Sequence, residues 1–221
     1  MFVYSHTEMT PGTTTPWQRS LFDQGEEVTL GPAAPPGARA SLGGGAWIES
    51  RTGWVARHDL LFEYLVDAVP WRLEERPMYD RTVAVPRMVS HYPEGEDLPH
   101  PALVEARRLL DQRYGDGAAG EFVSAGLCFY RDGRDSVAWH RDRIGRRAGV
   151  DTMVAIVSLG ERRTFLIRPM SGGPARRLRL GAGDLLVMGG QFQQTWEHCV
   201  PKTSRPVGPR ISVQFRTRGA R

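Results

Sequence analysis

Between residues 124 and 216 the chain breaks into eight short runs rich in β-branched, aromatic and aliphatic residues, at 124–130, 137–142, 153–159, 164–168, 176–180, 184–188, 196–200 and 210–216. Turn signals such as Asp132-Gly133 and Ser171-Gly172-Gly173 separate them. Runs this short do not make stable helices, and their spacing is that of an all-β sandwich or barrel. The last run alternates without exception: Arg210, Ser212, Gln214 and Arg216 share one face, and Ile211, Val213 and Phe215 share the other. That polar face either meets solvent or lines a polar cavity inside a small barrel, where arginines await an anion.

Ahead of the strands the period changes. Leu60, Leu61, Tyr64, Leu65 and Ala68 recur at helical spacing and Pro70 stops the pattern, which predicts a helix over 56–69. A second helix is predicted over 101–114, with Pro101 in its first turn, Leu103, Ala106 and Leu110 on one stripe, and Gly115 at its end. Residues 1–45 hold seven Gly and five Pro around a small apolar island at Leu21 and Phe22, and read as an irregular tail. The expected fold class is α+β: a double-stranded β-helix, or jelly roll, of about eight strands with supporting N-terminal helices. A domain over 46–221 would follow the tail, with its strand-rich core at about 122–218.

Composition narrows the class. A chain of 221 residues with 40% hydrophobic and 24% charged residues can bury a core without staples. No apolar run approaches the roughly 18 residues that span a bilayer, and the N-terminus lacks the layout of a signal peptide, so a cytoplasmic protein is expected. The two cysteines, Cys128 and Cys199, are expected as free thiols. Residues 131–221 carry 18 basic and 7 acidic side chains, whereas residues 1–130 carry 11 and 18. Such polarity presents a basic surface to a polyanion while leaving the whole chain at +4. Lys202 is the one lysine; every other basic residue is arginine.

His140 and Asp142 are two apart, so on a strand both project to one side, as two ligands of a facial metal triad would. His198 follows on the penultimate strand and Arg210 opens the last one. The run from Leu127 to Asp142, the Trp196, His198, Pro201 group and the Arg210 to Arg216 strand together resemble the AlkB family of iron(II) and 2-oxoglutarate dependent dioxygenases. The likeness covers residues 46–218. It implies a jelly roll that holds Fe(II) on His140, Asp142 and His198 and uses O2. It further implies Arg210 as a bidentate partner of the far carboxylate of 2-oxoglutarate, a task that suits a guanidinium better than an ammonium. Tyr130 would add a hydroxyl to the same cosubstrate, and Arg216 would line the site near its metal-bound end or near the substrate. The family reaction is oxidative demethylation of alkylated nucleobases, releasing formaldehyde, succinate and CO2.

Two departures from the family pattern stand out. Cys128 occupies a position where many members carry Asn, and a thiol is a much poorer hydrogen-bond partner for the cosubstrate. Arg143 and Ile144 follow the His140/Asp142 pair where many members have an acidic residue, so base preference does not carry over. The segment from Arg76 to Tyr92 resembles the family's nucleotide-recognition lid, placed at about 70–95, and implies Arg87, Tyr92 and Tyr79 as substrate contacts. Trp139, Trp196, Glu197 and Cys199 read as packing or outward-facing residues. The implied partner is alkylated DNA, single-stranded or with a flipped base, bound by a monomer away from membranes. RNA, a protein side chain or a small molecule is the alternative substrate. A non-catalytic nucleic-acid-binding jelly roll is the alternative of another class.

Overall fold

The computed structural model describes residues 27–32, 39–78, 81–142 and 151–218, with the backbone alone over 74–78 and 81–84. In chain order the elements are β1 (Thr29–Leu30), β2 (Arg39–Gly43), β3 (Ala46–Arg51), β4 (Val55–Ala56), α1 (His58–Ala68), β5 (Arg72–Met78), β6 (Arg81–Tyr92), α2 (Pro101–Tyr114), β7 (Phe122–Tyr130) and β8 (Val137–His140). They continue as β9 (Val154–Gly160), β10 (Arg163–Pro169), β11 (Arg176–Leu180), β12 (Asp184–Gly190), α3 (Phe192–Thr195), β13 (Trp196–Val200) and β14 (Arg210–Thr217).

The strands form an eight-stranded sheet in the order β2-β3-β12-β9-β14-β7-β6-β5 and a four-stranded sheet in the order β11-β10-β13-β8, all antiparallel; β1 pairs with β4 separately. The two sheets face each other as in a jelly roll, and α1 and α2 cover the far side of the larger one. Period-two alternation sorts the side chains. The row Leu127, Val213, Val157, Leu185 joins β7, β14, β9 and β12 on the helix side, where Leu61, Leu65, Leu103 and Leu110 meet it. The next row over, Cys128, Ser212, Ser158, Asp184, faces the smaller sheet. Strands β9 and β12 are buried along their whole length because both of their faces are covered, which explains their nearly unbroken apolar sequences.

Helix α2 begins and ends where expected. Its N-cap is His100, whose Nδ1 accepts the Ala102 N–H at 3.0 Å. Gly115 closes it with an ordinary right-handed φ of −63°; the need for glycine there is space, since a Cβ would come within 2.6 Å of the Asp111 carbonyl.

Residues 1–45 are not irregular throughout. β2 pairs with β3 through a turn in which Gly43, Gly44 and Gly45 all have positive φ, and Thr29–Leu30 pairs with β4. β2 escapes notice because it is an edge strand with an almost fully exposed pattern and so has no apolar alternation. Leu21 and Phe22 lie outside the described residues. The 70–95 segment is a β-hairpin, β5–β6, continuous with the larger sheet through β7. Pro86 masks it in the sequence. It falls at a register shift, where a missing N–H is tolerated, and its carbonyl accepts the Ser136 N–H at 2.7 Å.

Candidate active site

The polar face of β14 points inward. Arg210, Ser212 and Gln214 are 1%, 3% and 8% exposed, so of the two environments open to that face it is the interior cavity that is built. Arg210 sits opposite Tyr130, Ser212 opposite Cys128 and Arg216 opposite Ser124. Across the gap, β13 and β8 of the smaller sheet bring His198 opposite His140. Arg87, Cys128, Tyr130, His140, Asp142, His198, Ser212, Gln214 and Arg216 all line one cavity of about 60 Å³, together with the apolar Ile156 and Phe165.

Within it the His140 and His198 rings lie 4.2 Å apart and His198 Nε2 is 3.8 Å from Asp142 Oδ2. Phe165 stacks on the His198 ring at 5.3 Å and fixes its plane. His140 Nδ1 is 2.9 Å from the Ala138 carbonyl, which holds a proton on that nitrogen and leaves the Nε2 lone pair to the cavity. Burial lowers both imidazole pKa values, and for His198, with His140 adding to the effect, to about 3, so both rings are neutral at physiological pH. Burial pushes the Asp142 carboxyl upward, but Arg216, His198 and His140 together outweigh it and keep the carboxylate ionised. Arg216 donates to Asp142 Oδ1 from Nε and from Nη2, both at 2.8 Å, and the Asp142 N–H donates to Gln193 Oε1 at 3.0 Å.

Two neutral imidazoles and an ionised carboxylate are the donor chemistry of a facial triad, and the His198 Nδ1 is buried without a partner. Among the described residues, however, no three such side chains close to ligand geometry. Asp142 leans toward Arg216 instead.

Deeper in, Arg210 donates from Nη2 to Ser158 Oγ at 2.6 Å, while its Nε and Nη1 are buried with no hydrogen-bond partner. Burial lowers its pKa and raises that of Tyr130, whose ring lies 5.3 Å from the Arg210 guanidinium carbon. Arg163 lies 5.8 Å from the same ring and donates to the carbonyls of Asp132, Asp135 and Pro201. The Cys128 Sγ is 3.8 Å from Gln214 Oε1, and Gln214 Nε2 donates to Ser212 Oγ at 2.7 Å.

Of the residues singled out in the sequence, His140, Asp142, His198, Tyr130, Cys128, Arg216 and Arg87 meet at this cavity, with Arg210 directly behind Tyr130. Tyr92 does not. It pairs with Ala125 and packs on the helix-side core, because five residues along a strand from Arg87 is an odd step and reverses the face. Tyr79, Arg143 and Ile144 lie outside the described residues. Glu197 and Cys199 leave the cavity as alternation requires, Glu197 to pair with Arg168. Both cysteines are free thiols. Gln193, Ser158, Phe165 and Arg163 went unnoticed in the sequence. Each acts across 28 or more residues, on Asp142, Arg210, His198 and the Asp135 carbonyl, and no short motif marks them.

Two antiparallel sheets closed around buried imidazoles, a carboxylate and an unsatisfied arginine define the class of protein: a double-stranded β-helix with an anion-seeking interior. Residues 88–216 match the family model of the 2OG-Fe(II) oxygenase superfamily. The chain is 31% identical over 175 residues to alpha-ketoglutarate-dependent dioxygenase alkB homolog 3 of Mus musculus, covering 72% of this chain and 61% of that protein. For the Homo sapiens homolog the figures are 31% over 182 residues, 74% and 62%. To the DNA oxidative demethylase ALKBH2 of Arabidopsis thaliana it is 27% identical over 195 residues, covering 70% and 60%. The chain therefore spans about three fifths of the length of these relatives. The solved structure of OsALKBH1 shares the fold, with a TM-score of 0.50 at 14% identity over 81% of this chain and 99% of that one. The chain belongs to the 2OG-Fe(II) oxygenase superfamily, and its Mus musculus and Homo sapiens relatives are alkB homologs.

Proposed function

We propose that this protein is an Fe(II)- and 2-oxoglutarate-dependent dioxygenase that removes methyl groups from alkylated bases in nucleic acid, with DNA as the substrate. The observation that carries the reading is Arg210: a guanidinium at 1% exposure with two nitrogens lacking partners, set behind Tyr130, which lines a cavity together with two neutral histidines and a carboxylate. Buried donors without acceptors mark a site for an anion.

His140, Asp142 and His198 would hold the iron. When bound together with 2-oxoglutarate and O2, it supplies the oxidation of an N-methyl group, leaving succinate, CO2 and formaldehyde. The protein's share is positioning. Arg210, braced by Ser158, takes the far carboxylate of the cosubstrate in its fork, and Tyr130 offers a hydroxyl alongside. Arg216, with two hydrogen bonds to Asp142 Oδ1, holds that carboxylate ionised. Arg87, 9% exposed at the rim, faces the incoming nucleotide. A base must leave its stack to reach His140, which costs least in a single strand or at a damaged pair, so methylated single-stranded DNA should react at least as fast as duplex. The relatives named DNA oxidative demethylase support this substrate class.

The test is anaerobic addition of Fe(II) and 2-oxoglutarate, which should give a visible charge-transfer band that Asp142→Ala abolishes, followed by formaldehyde and succinate release in step from oligonucleotides carrying N1-methyladenine or N3-methylcytosine. Equal bands in both proteins would overturn the metal assignment. Succinate at the uncoupled rate with every methylated DNA and RNA would transfer the activity to a protein or small-molecule substrate.

A further inference from the structure

The outer face of the smaller sheet takes no part in the cavity, and strand register dictates what it shows. His140 and His198 face inward opposite each other, so Trp139 and Glu197 face outward. Arg168 stands opposite Glu197, is held by its carboxylate and lies with its guanidinium carbon 4.0 Å from the Trp139 ring centre. On the edge strand β11, Leu178 pairs inward with Phe165, which turns Arg177 and Arg179 outward. Both are exposed, and among the described residues neither side chain has a hydrogen bond or ion pair. Arg141, also exposed, follows His140 at the end of β8 and precedes Asp142 at the cavity. Glu197 is the one acidic residue in the four strands of this sheet.

Four outward guanidiniums against one carboxylate repel one another, and only a polyanion relieves all of them together. Arg177 and Arg179 lie about 6.6 Å apart along β11, and the face extends about 14 Å across the strands to β8. Its chemistry is that of phosphate recognition: rigid forks, with Arg168 already fixed by Glu197 and by stacking on Trp139, so that little side-chain freedom is lost on binding. We propose that this face carries the phosphate backbone of the nucleic-acid strand flanking the base in the cavity, with Arg141 linking face to rim. The proposal rests on the nucleic-acid reading above and adds a surface to it that makes no base contacts.

The probe is a labelled, unmethylated single-stranded oligonucleotide of about 15 nucleotides, long enough to reach the face, titrated by fluorescence anisotropy at several salt concentrations. Replacing two phosphate contacts through Arg177→Ala/Arg179→Ala should lower the slope of log K against log salt by about 1.4, an affinity loss of about 25-fold over a tenfold fall in salt. Arg177→Glu/Arg179→Glu should lose more, at an unchanged thermal midpoint, because both positions are exposed on an edge strand. Turnover of a methylated trinucleotide, too short to leave the rim, should be unaffected by either pair. An unchanged slope in both double variants would overturn the proposal. A wild-type protein that demethylates nothing yet shows the slope loss would instead keep the surface and remove the enzymatic reading.

Discussion

Arg210 shows how much a single position can disclose. Burying a guanidinium with two unsatisfied nitrogens is unfavourable, and the fold tolerates it only where a ligand completes the hydrogen bonds. Arg210→Lys keeps the charge and removes the fork. The Michaelis constant for 2-oxoglutarate should rise about 10- to 100-fold, the worth of one hydrogen bond to a charged group, while the protein still binds Fe(II). Steady-state kinetics with varied 2-oxoglutarate check this, and an unchanged constant would move the anion clamp to Arg216. The place of Arg210 on a polar strand face was legible from alternation alone. That the face is interior was not, because the same alternation serves a strand with one side in water. The opposite outcomes for Arg87 and Tyr92 show the same arithmetic: the resemblance named both, and the odd separation along one strand sends them to different faces.

At the scale of the element, α2 was predicted at its final boundaries because its signals are local: Pro101 in the first turn, an apolar stripe, and a glycine where the chain turns away. Its cap makes a pH prediction. The His100 Nδ1 accepts the Ala102 N–H only while that nitrogen is unprotonated, and burial holds the pKa below the usual 6.5. The cap is complete above that value and is lost as pH falls through the folded-state pKa. His100→Ala should cost about 1 kcal/mol near neutral pH, with the difference from wild type closing as pH falls, followed by urea unfolding across the range. A gap that stays constant with pH would show that the loss is packing against Tyr64, whose ring centre is 4.8 Å away. The strands β2, β5 and β6 show the limit of local reading. An exposed edge strand has no apolar period, and a proline inside a long strand looks like a loop until the register shift that accommodates it is seen.

For the whole molecule, the element that joins the parts is Arg163. At 3% exposure it donates to carbonyls in the β7–β8 turn and just after β13, the segments on either side of His140 and His198. Arg163→Met fills the space and leaves three carbonyls wanting donors. It should lower unfolding stability by about 3 kcal/mol or more, seen as a fall in the urea midpoint at constant m-value. A midpoint within error of wild type would mean that water replaces the guanidinium without cost.

The sequence by itself determined the fold class, helices α1 and α2, and the eight strands from β7 to β14, all of which rest on local periodicity and turn signals. The set His140, Asp142, His198 and Arg210 spans three strands and was named only through the family resemblance. Tertiary structure alone decided that β2, β5 and β6 extend the larger sheet and that Tyr92 belongs to the helix-side core. It also decided that Gln193, Ser158 and Phe165 orient the site, and that Arg177 and Arg179 of β11 stand on an outer face with no ion pair among the described residues. Each of these is a relation between residues far apart in the chain. Neither propensity nor period encodes such a relation before the sheets close on each other.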